Sequence, residues 1–353
     1  IVGAIDLGGG YDTVNIEAAS SSASITLLNV ENISLSSSVN GLAVGNTIHT
    51  IDPSAFSYQA QAVNSLVARM HGSMLRRLQQ ANAAGPIWVD ASVSSVDAGG
   101  NDEMRSYGHD ARTFNLGYEF DLGSGKAGVL AGYSDAEVGS DEVSFEDEIS
   151  SFILGAYMRL PFESINLTTS LLLGHEEHDQ TRFALDNMSG LVSYESEVDS
   201  YFISPSISID TAVQMTEKLS IVPSGTLSCT LSYFEDYNES GGNAANFSID
   251  ERYLHIFSFI AEVAGVYEFN RGVCALAVGV DSRYSDESSI DATITGENLR
   301  ISPVNDQSVS TGFLAARTSI QVSDRISVLG DVEHRFSGDE DEIFARLQLS
   351  GSF

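Results

Sequence analysis

Few residues in this chain are spaced to do chemistry. His175-Glu176-Glu177-His178 has the residue types of a metal site. In H-E-x-x-H two imidazoles share one helical face at i, i+4; here they stand three apart, at the end of a strand-like run. Solvated loop residues are the simpler reading, so no metal ligand and no cofactor is expected. Serine, histidine and aspartate are plentiful, but a Ser-His-Asp relay is defined by geometry that sequence order does not supply. No catalytic residue is therefore assigned, and the chain is not read as an enzyme. Gly8-Gly9-Gly10-Tyr11-Asp12 is not a G-x-G-x-x-G loop ahead of a helix, and as a calcium-binding nonapeptide it occurs only once. It reads as a turn. Cys229 and Cys274 are too few for a disulfide framework. Each falls on an apolar face, with Leu227 and Leu231 or with Leu276 and Val278, so both are expected to be free thiols facing outward.

The elements that would have to position any site come next. The chain has 353 residues and a formal net charge of −32, which disfavours nucleic acid as a partner. Mean hydropathy is close to zero, as it is when apolar and polar residues alternate in a transmembrane barrel. No run of about 18 apolar residues exists, so no transmembrane helix is expected, which leaves a closed barrel open. Starting at Ile1 with no signal peptide, the chain reads as the interior and end of a longer secreted precursor.

Three zones follow one another. Residues 1–45 hold short β-branched runs between Gly and Asn turns, suggestive of parallel β-helix rungs. Within the linker 46–86, Asp52-Pro53 is an N-cap and first-turn pair. About 28 helix-forming residues follow, to about Ala81, before Gly85-Pro86. At about 1.5 Å per residue that helix spans about 40 Å, enough to cross a hydrocarbon core of about 30 Å. Its small, polar surface and its cations Arg69, Arg76 and Arg77 suit a water-filled pore and not lipid.

From 87 to 353 the pattern is strand after strand, about twelve in all. Ile343, Ala345, Leu347, Leu349, Gly351 and Phe353 share one face, with Arg346, Gln348, Ser350 and Ser352 on the other. Asp331 and Glu333 likewise oppose Val328 and Val332. Connections alternate between tight turns, such as Asn270-Arg271, and long acidic stretches, such as Glu176 to Glu197 and Tyr284 to Ser308. That parity belongs to outer-membrane barrels, short turns on one side and long loops on the other. The fold class is therefore an all-β, antiparallel, up-and-down transmembrane barrel with a helix in its pore. Inward positions carry Glu119, Glu262, Glu268, Asp281, Asp331 and Glu333, placed to meet the helix arginines. In a wet pore each such pair contributes about 0–1 kcal/mol.

A helix start at Asp52-Pro53, an Arg76-Arg77 pair near its end, about twelve strands and a final alternating strand ending in Phe353 resemble the translocator unit of type V autotransporters. The resemblance covers residues 45–353. It implies an outer-membrane anchor that delivers an N-terminal passenger to the bacterial cell surface, its pore then plugged by its own helix. It implies that Leu347, Leu349 and Phe353 form a signal for the barrel assembly machinery. Its partners would be periplasmic chaperones, outer-membrane lipid or lipopolysaccharide and the passenger itself, with the barrel a monomer. Some members cleave their helix by asparagine cyclisation. Asn64-Ser65 and Asn82-Ala83 are the positions to consider, but the paired asparagines of that subgroup are absent. The rival readings are a diffusion porin, which would begin almost directly with a strand, and a barrel hydrolase, which needs a Ser/His/acid cluster at the outer rim.

Overall fold

The computed structural model describes residues 3–19, 21–79, 85–100, 105–140, 144–242, 245–287, 289–303, 308–338 and 340–351. Six short strands come first: β1 (Ile5–Asp6), β2 (Thr13–Ile16), β3 (Ala23–Leu28), β4 (Asn32–Leu35), β5 (Gly41–Val44) and β6 (Thr47–Thr50). Parallel pairs join β1 to β3 and β2 to β4, with Ile5 opposite Leu27 and Thr13 opposite Asn32. Antiparallel pairs then join β3 to β6 and β6 to β5.

Helix α1 (Ser54–Gln79) starts where expected. Asp52 accepts the Ser54 amide at 3.0 Å, and its other oxygen meets Arg105 at 2.8 Å. Pro53 fills the first turn, where no amide proton is needed.

The barrel strands follow: β7 (Ile87–Ala98), β8 (Tyr107–Leu122), β9 (Gly125–Ser140), β10 (Phe145–Phe162), β11 (Ile165–Asp186) and β12 (Gly190–Asp210). After the short β13 (Val213–Gln214) comes β14 (Leu219–Phe234), then β15 (Tyr237–Asn238) and β16 (Phe247–Ile249) in a long loop. The wall resumes with β17 (Arg252–Phe269) and β18 (Gly272–Glu287), and a second long loop carries β19 (Ile290–Ile294) and β20 (Glu297–Ile301). It ends with β21 (Ser308–Ser323), β22 (Ile326–Phe336) and β23 (Glu340–Gly351). Twelve of these strands pair antiparallel in sequence order, and the last closes on the first, with Ile87 opposite Gly351 and Ala98 opposite Glu340. Closure leaves the described wall strands paired on both sides through the span of β7 and β23, as a hydrocarbon environment requires.

Period-two alternation decides what each face meets. Phe114, Leu116 and Tyr118 are half-exposed on the outside while Thr113, Asn115 and Glu119 are buried inside. The two cysteines are free: Cys274 is exposed and Cys229 part-exposed beside exposed Leu227 and Leu231.

Strand boundaries depart from expectation at the long-loop end. The stretch Glu176 to Glu197 is not a loop; β11 runs on to Asp186 and β12 starts at Gly190 as one long hairpin. At about 3.3 Å per residue, β11's 22 residues reach about 70 Å, far more than a tilted crossing needs. Its outward residues are largely apolar to Leu173; His175, Glu177, Asp179 and Thr181 then follow before Phe183 and Leu185 at the tip. The upper half therefore stands clear of lipid.

The interior is drier than a water-filled pore. Val63, Leu66, Val67, Met70, Met74 and Leu78 of α1 pack on Leu130, Ile153, Leu172, Phe202 and Leu254 of the wall. Spacings of three and four put these helix residues on one stripe. Above, β15, β16, β19 and β20 form a four-stranded sheet. Its Phe247, Ile249, Ile294 and Ile301 pack over Ile51 and Phe56, closing the mouth.

Gly117 lies directly beneath the Trp88 ring, where an added Cβ would come within 2.1 Å of it. Gly117→Val should prevent formation of the heat-modifiable folded band, whereas Gly225→Val, into open space, should leave that band intact. His49 in β6 is buried and bonds Ser24 at 2.9 Å. Burial pushes its imidazole below the ordinary value of 6.5, although Asp186 pulls the other way. The unfolded segment then takes up the proton first, so stability is full above that value and falls as pH drops below it. Protease sensitivity of residues 21–50 should rise from about pH 7 to about pH 5, and His49→Gln should flatten that rise.

Candidate functional site

The polar stripe of α1 faces the part of the wall built from β7, β8 and β21 to β23. Its cations are fixed at defined levels. Arg69 is buried, lies 3.7 Å from Glu342 and bonds Ser94. Ser73, one turn on, bonds Asp90, whose other oxygen accepts Asn115 at 2.7 Å. Arg76 meets three carboxylates: Asp331 at 2.8 Å, Glu333 at 3.0 Å and Glu262 at 3.8 Å. Arg77 meets Glu119 at 2.9 Å and donates to the Gly85 carbonyl. Glu119 also accepts the Tyr157 hydroxyl at 3.3 Å, and Tyr157 accepts Trp88 Nε1 at 2.8 Å. That relay ties the helix end to three wall strands.

The wall brings cations of its own. Arg317 makes two bonds to Glu262, at 2.5 and 2.6 Å, and Arg346 reaches Asp331 at 3.0 Å. Arg335 joins Glu333 at 2.7 Å and Asp281 at 2.6 Å. Around Arg76, three carboxylates thus share four guanidinium groups. A network that nearly cancels its charge is what a site with side chains this buried requires.

Asp331, Glu333, Glu262 and Glu119 lie directly on the helix arginines. Asp281 sits behind them, on Arg335 and Ser258. Glu268 is exposed at the short-turn end, beside a cavity of about 250 Å³ that Arg76, Gln79 and Asp210 also line. Asn64 is buried in mid-helix. Leu347 and Leu349 are exposed on the outer face; Phe353 and Asn82 lie outside the described residues. Glu342 and Asp90 were missed, although Glu342 continues the inward series of Arg346 and Gln348.

The opposite lumen wall is lined with small hydroxyls. Ser206, Ser208, Ser224, Ser228 and Ser258 border the remaining gap beside α1, and His71 spans Ser170 at 2.8 Å and Ser204 at 3.0 Å.

Strand alternation splits the run 175–178 between two faces, which corrects its reading as loop. His175 and Glu177 point out, where with Asp199 their ligand-type atoms gather within 4.8 Å of one another. Glu176 and His178 point in. His178 lies 3.0 Å from Asp147 and 3.2 Å from Ser200, the members of a nucleophile–base–acid relay. Ser200 is wholly buried, however, and donates to Glu176 at 3.0 Å. A substrate has no access to it.

The autotransporter beta-domain family model matches residues 87–333. No curated protein matches the chain. Among solved structures, the chain is similar to the translocator domain of the autotransporter NalP from Neisseria meningitidis. That match has 14% identity and a TM-score of 0.66, and covers 83% of this chain and 98% of that one. It is also similar to the beta domain of the Bordetella autotransporter BrkA, at 12% identity and TM-score 0.55, covering 76% and 100% of the two chains. The transport unit of AIDA-I from Escherichia coli matches at 11% identity and TM-score 0.52, covering 76% and 90%. At these identities the likeness concerns the fold.

Arg76→Met would leave Asp331 and Glu333 short of a buried partner, a loss of about 3–5 kcal/mol. Hydrogen exchange along α1 should accelerate correspondingly. Asp331→Asn should act in the same direction, and the double variant should lose less than the sum of the two.

Proposed function

Because the chain belongs to the autotransporter β-domain family, we propose that residues 87–353 are its translocator, 46–86 the pore-filling linker and 1–45 the end of the passenger. The protein is an outer-membrane barrel that delivers a passenger to the cell surface in type V secretion. The observation that carries the assignment of parts is the fit of α1 in the lumen, arginines on wall carboxylates and an apolar stripe on wall leucines. A diffusion channel would not devote its interior to such a plug.

In this reading Arg69, Arg76 and Arg77 lock the helix after secretion. Glu119, Glu262, Asp331 and Glu333 are their seats, with Asp281 in support and Glu268 at the short-turn end. Asp52 and Pro53 set where the helix begins, and Asn64 is a helix residue and not a cleavage point. Leu347, Leu349 and Phe353 present the last strand to the barrel assembly machinery, with periplasmic chaperones delivering the chain. Outer-membrane lipid and lipopolysaccharide surround the apolar belt of a monomer. The barrel performs no catalysis, and the relay at His178 serves as a buried hydrogen-bond support.

Planar-bilayer recordings test the plug. The intact chain should conduct weakly, and deletion of residues 53–81 should raise conductance severalfold. High conductance from the intact chain would favour a diffusion channel instead.

A further inference from the structure

Where the β11–β12 hairpin leaves the lipid belt, its outer face changes from aromatic to acidic. Tyr133, Phe152, Tyr201 and Tyr233 form a row across neighbouring strands, and His175 stands in that row between Phe152 and Tyr201. Such a girdle marks the headgroup level of a barrel. Immediately above it, Glu177 of β11 lies directly opposite Asp199 of β12. Like charges opposed across a ladder destabilise it, and among the described residues no arginine or lysine pairs with either carboxylate. What they do have is His175. Its Nε2 lies 2.9 Å from Asp199, and its ring stacks on Tyr201 with centroids 4.9 Å apart, which fixes the direction of the imidazole. One nitrogen and two carboxylate oxygens thus converge from two strands, all within 4.8 Å of one another, on the outer surface. The expectation of no metal ligand here took the run for a loop, and the paired strands remove that ground.

We propose that His175, Glu177 and Asp199 form a binding site for a dication of the zinc class. The donor set decides the class. Two carboxylates carry two negative charges, which a dication beside a neutral imidazole balances. The imidazole nitrogen selects against magnesium and calcium, which take oxygen ligands, and favours zinc and its neighbours. His175 offers the Nε2 lone pair, with its proton on Nδ1. The hydrogen bond to Asp199 is then exchanged for bonds from both residues to the ion, and the ion relieves the repulsion between Asp199 and Glu177. Two ligands alternate along one strand and the third faces them from the next, so the outward side stays open to water, as in a three-ligand zinc site. The site lies outside the lumen, and the ion reaches it without displacing α1. Bridging β11 and β12 just above the aromatic row, it staples the hairpin where lipid no longer supports its outer face.

The experiment uses the whole chain folded in detergent micelles, stripped with a chelator and titrated with cobalt(II) and then zinc(II). Excess magnesium is present throughout to occupy sites made of carboxylates alone. Cobalt should give a visible absorption band that saturates at one ion per chain and disappears as zinc displaces it. His175→Ala and Glu177→Gln should each weaken zinc binding by at least about tenfold, since even groups behind the ligands are worth about that much. Asp179→Asn, at the next outward carboxylate of β11, should bind zinc as the parent does. All three substitutions fall on the outer face of β11, so the heat-modifiable band should persist. If one ligand variant loses that band, the other carries the comparison. A parent chain without the cobalt band would overturn the site, as would parent-like zinc affinity in the ligand variants. An equal loss in Asp179→Asn would also overturn it, in favour of diffuse binding by an acidic surface.

Discussion

A guanidinium group enters a dry lumen only with its charge matched. Taking an ion from water costs several kcal/mol, recovered only by close, well-oriented partners. Arg76 and Arg77 meet that condition because β8, β17 and β22 place carboxylates at their heights. The wall arginines follow from the same condition, since Asp331 and Glu333 with Arg76 alone would leave excess negative charge. Helix position, wall composition and strand register are therefore one constraint. Moving α1 by a turn would strand charges at both ends.

The constraint explains why the lumen is asymmetric. Beside β9 to β12, α1 presents an apolar stripe to leucine, isoleucine and phenylalanine, an ordinary hydrophobic contact. Beside β21 to β23 it presents arginine and serine. The first contact supplies adhesion without direction; the second fixes depth and rotation, because hydrogen bonds and ion pairs have angular preferences. The capping sheet over Ile51 and Phe56 keeps water from the upper end of this contact.

Much of this was legible in the sequence, for reasons that name where it stopped being so. The twelve strands, the helix start at Asp52-Pro53 and the inward carboxylates were readable because lipid outside and polar groups inside enforce a two-residue period. The upper halves of β11 and β12 were not. Above the lipid belt the outward residues become Glu177 and Asp179 while the inward ones are Glu176, His178 and Gln180, so both faces are polar and the period disappears. The same loss hid the cluster at His178, Asp147 and Ser200, which three strands assemble. Arg346 was visible as an inward residue, but its partner depends on cross-strand stagger that one strand's pattern does not contain.

The serine-lined side of the lumen has a consequence for any chain that moves along it. Ser206, Ser208, Ser224, Ser228 and Ser258 offer short hydroxyls that bond water as readily as peptide. Along these serines a sliding polypeptide exchanges one weak partner for an equivalent one, while Glu262, Glu333 and Arg335 border the same gap and bind charge. The serine side thus resists motion little, and it is the charged side that brings a segment with correctly spaced arginines to rest.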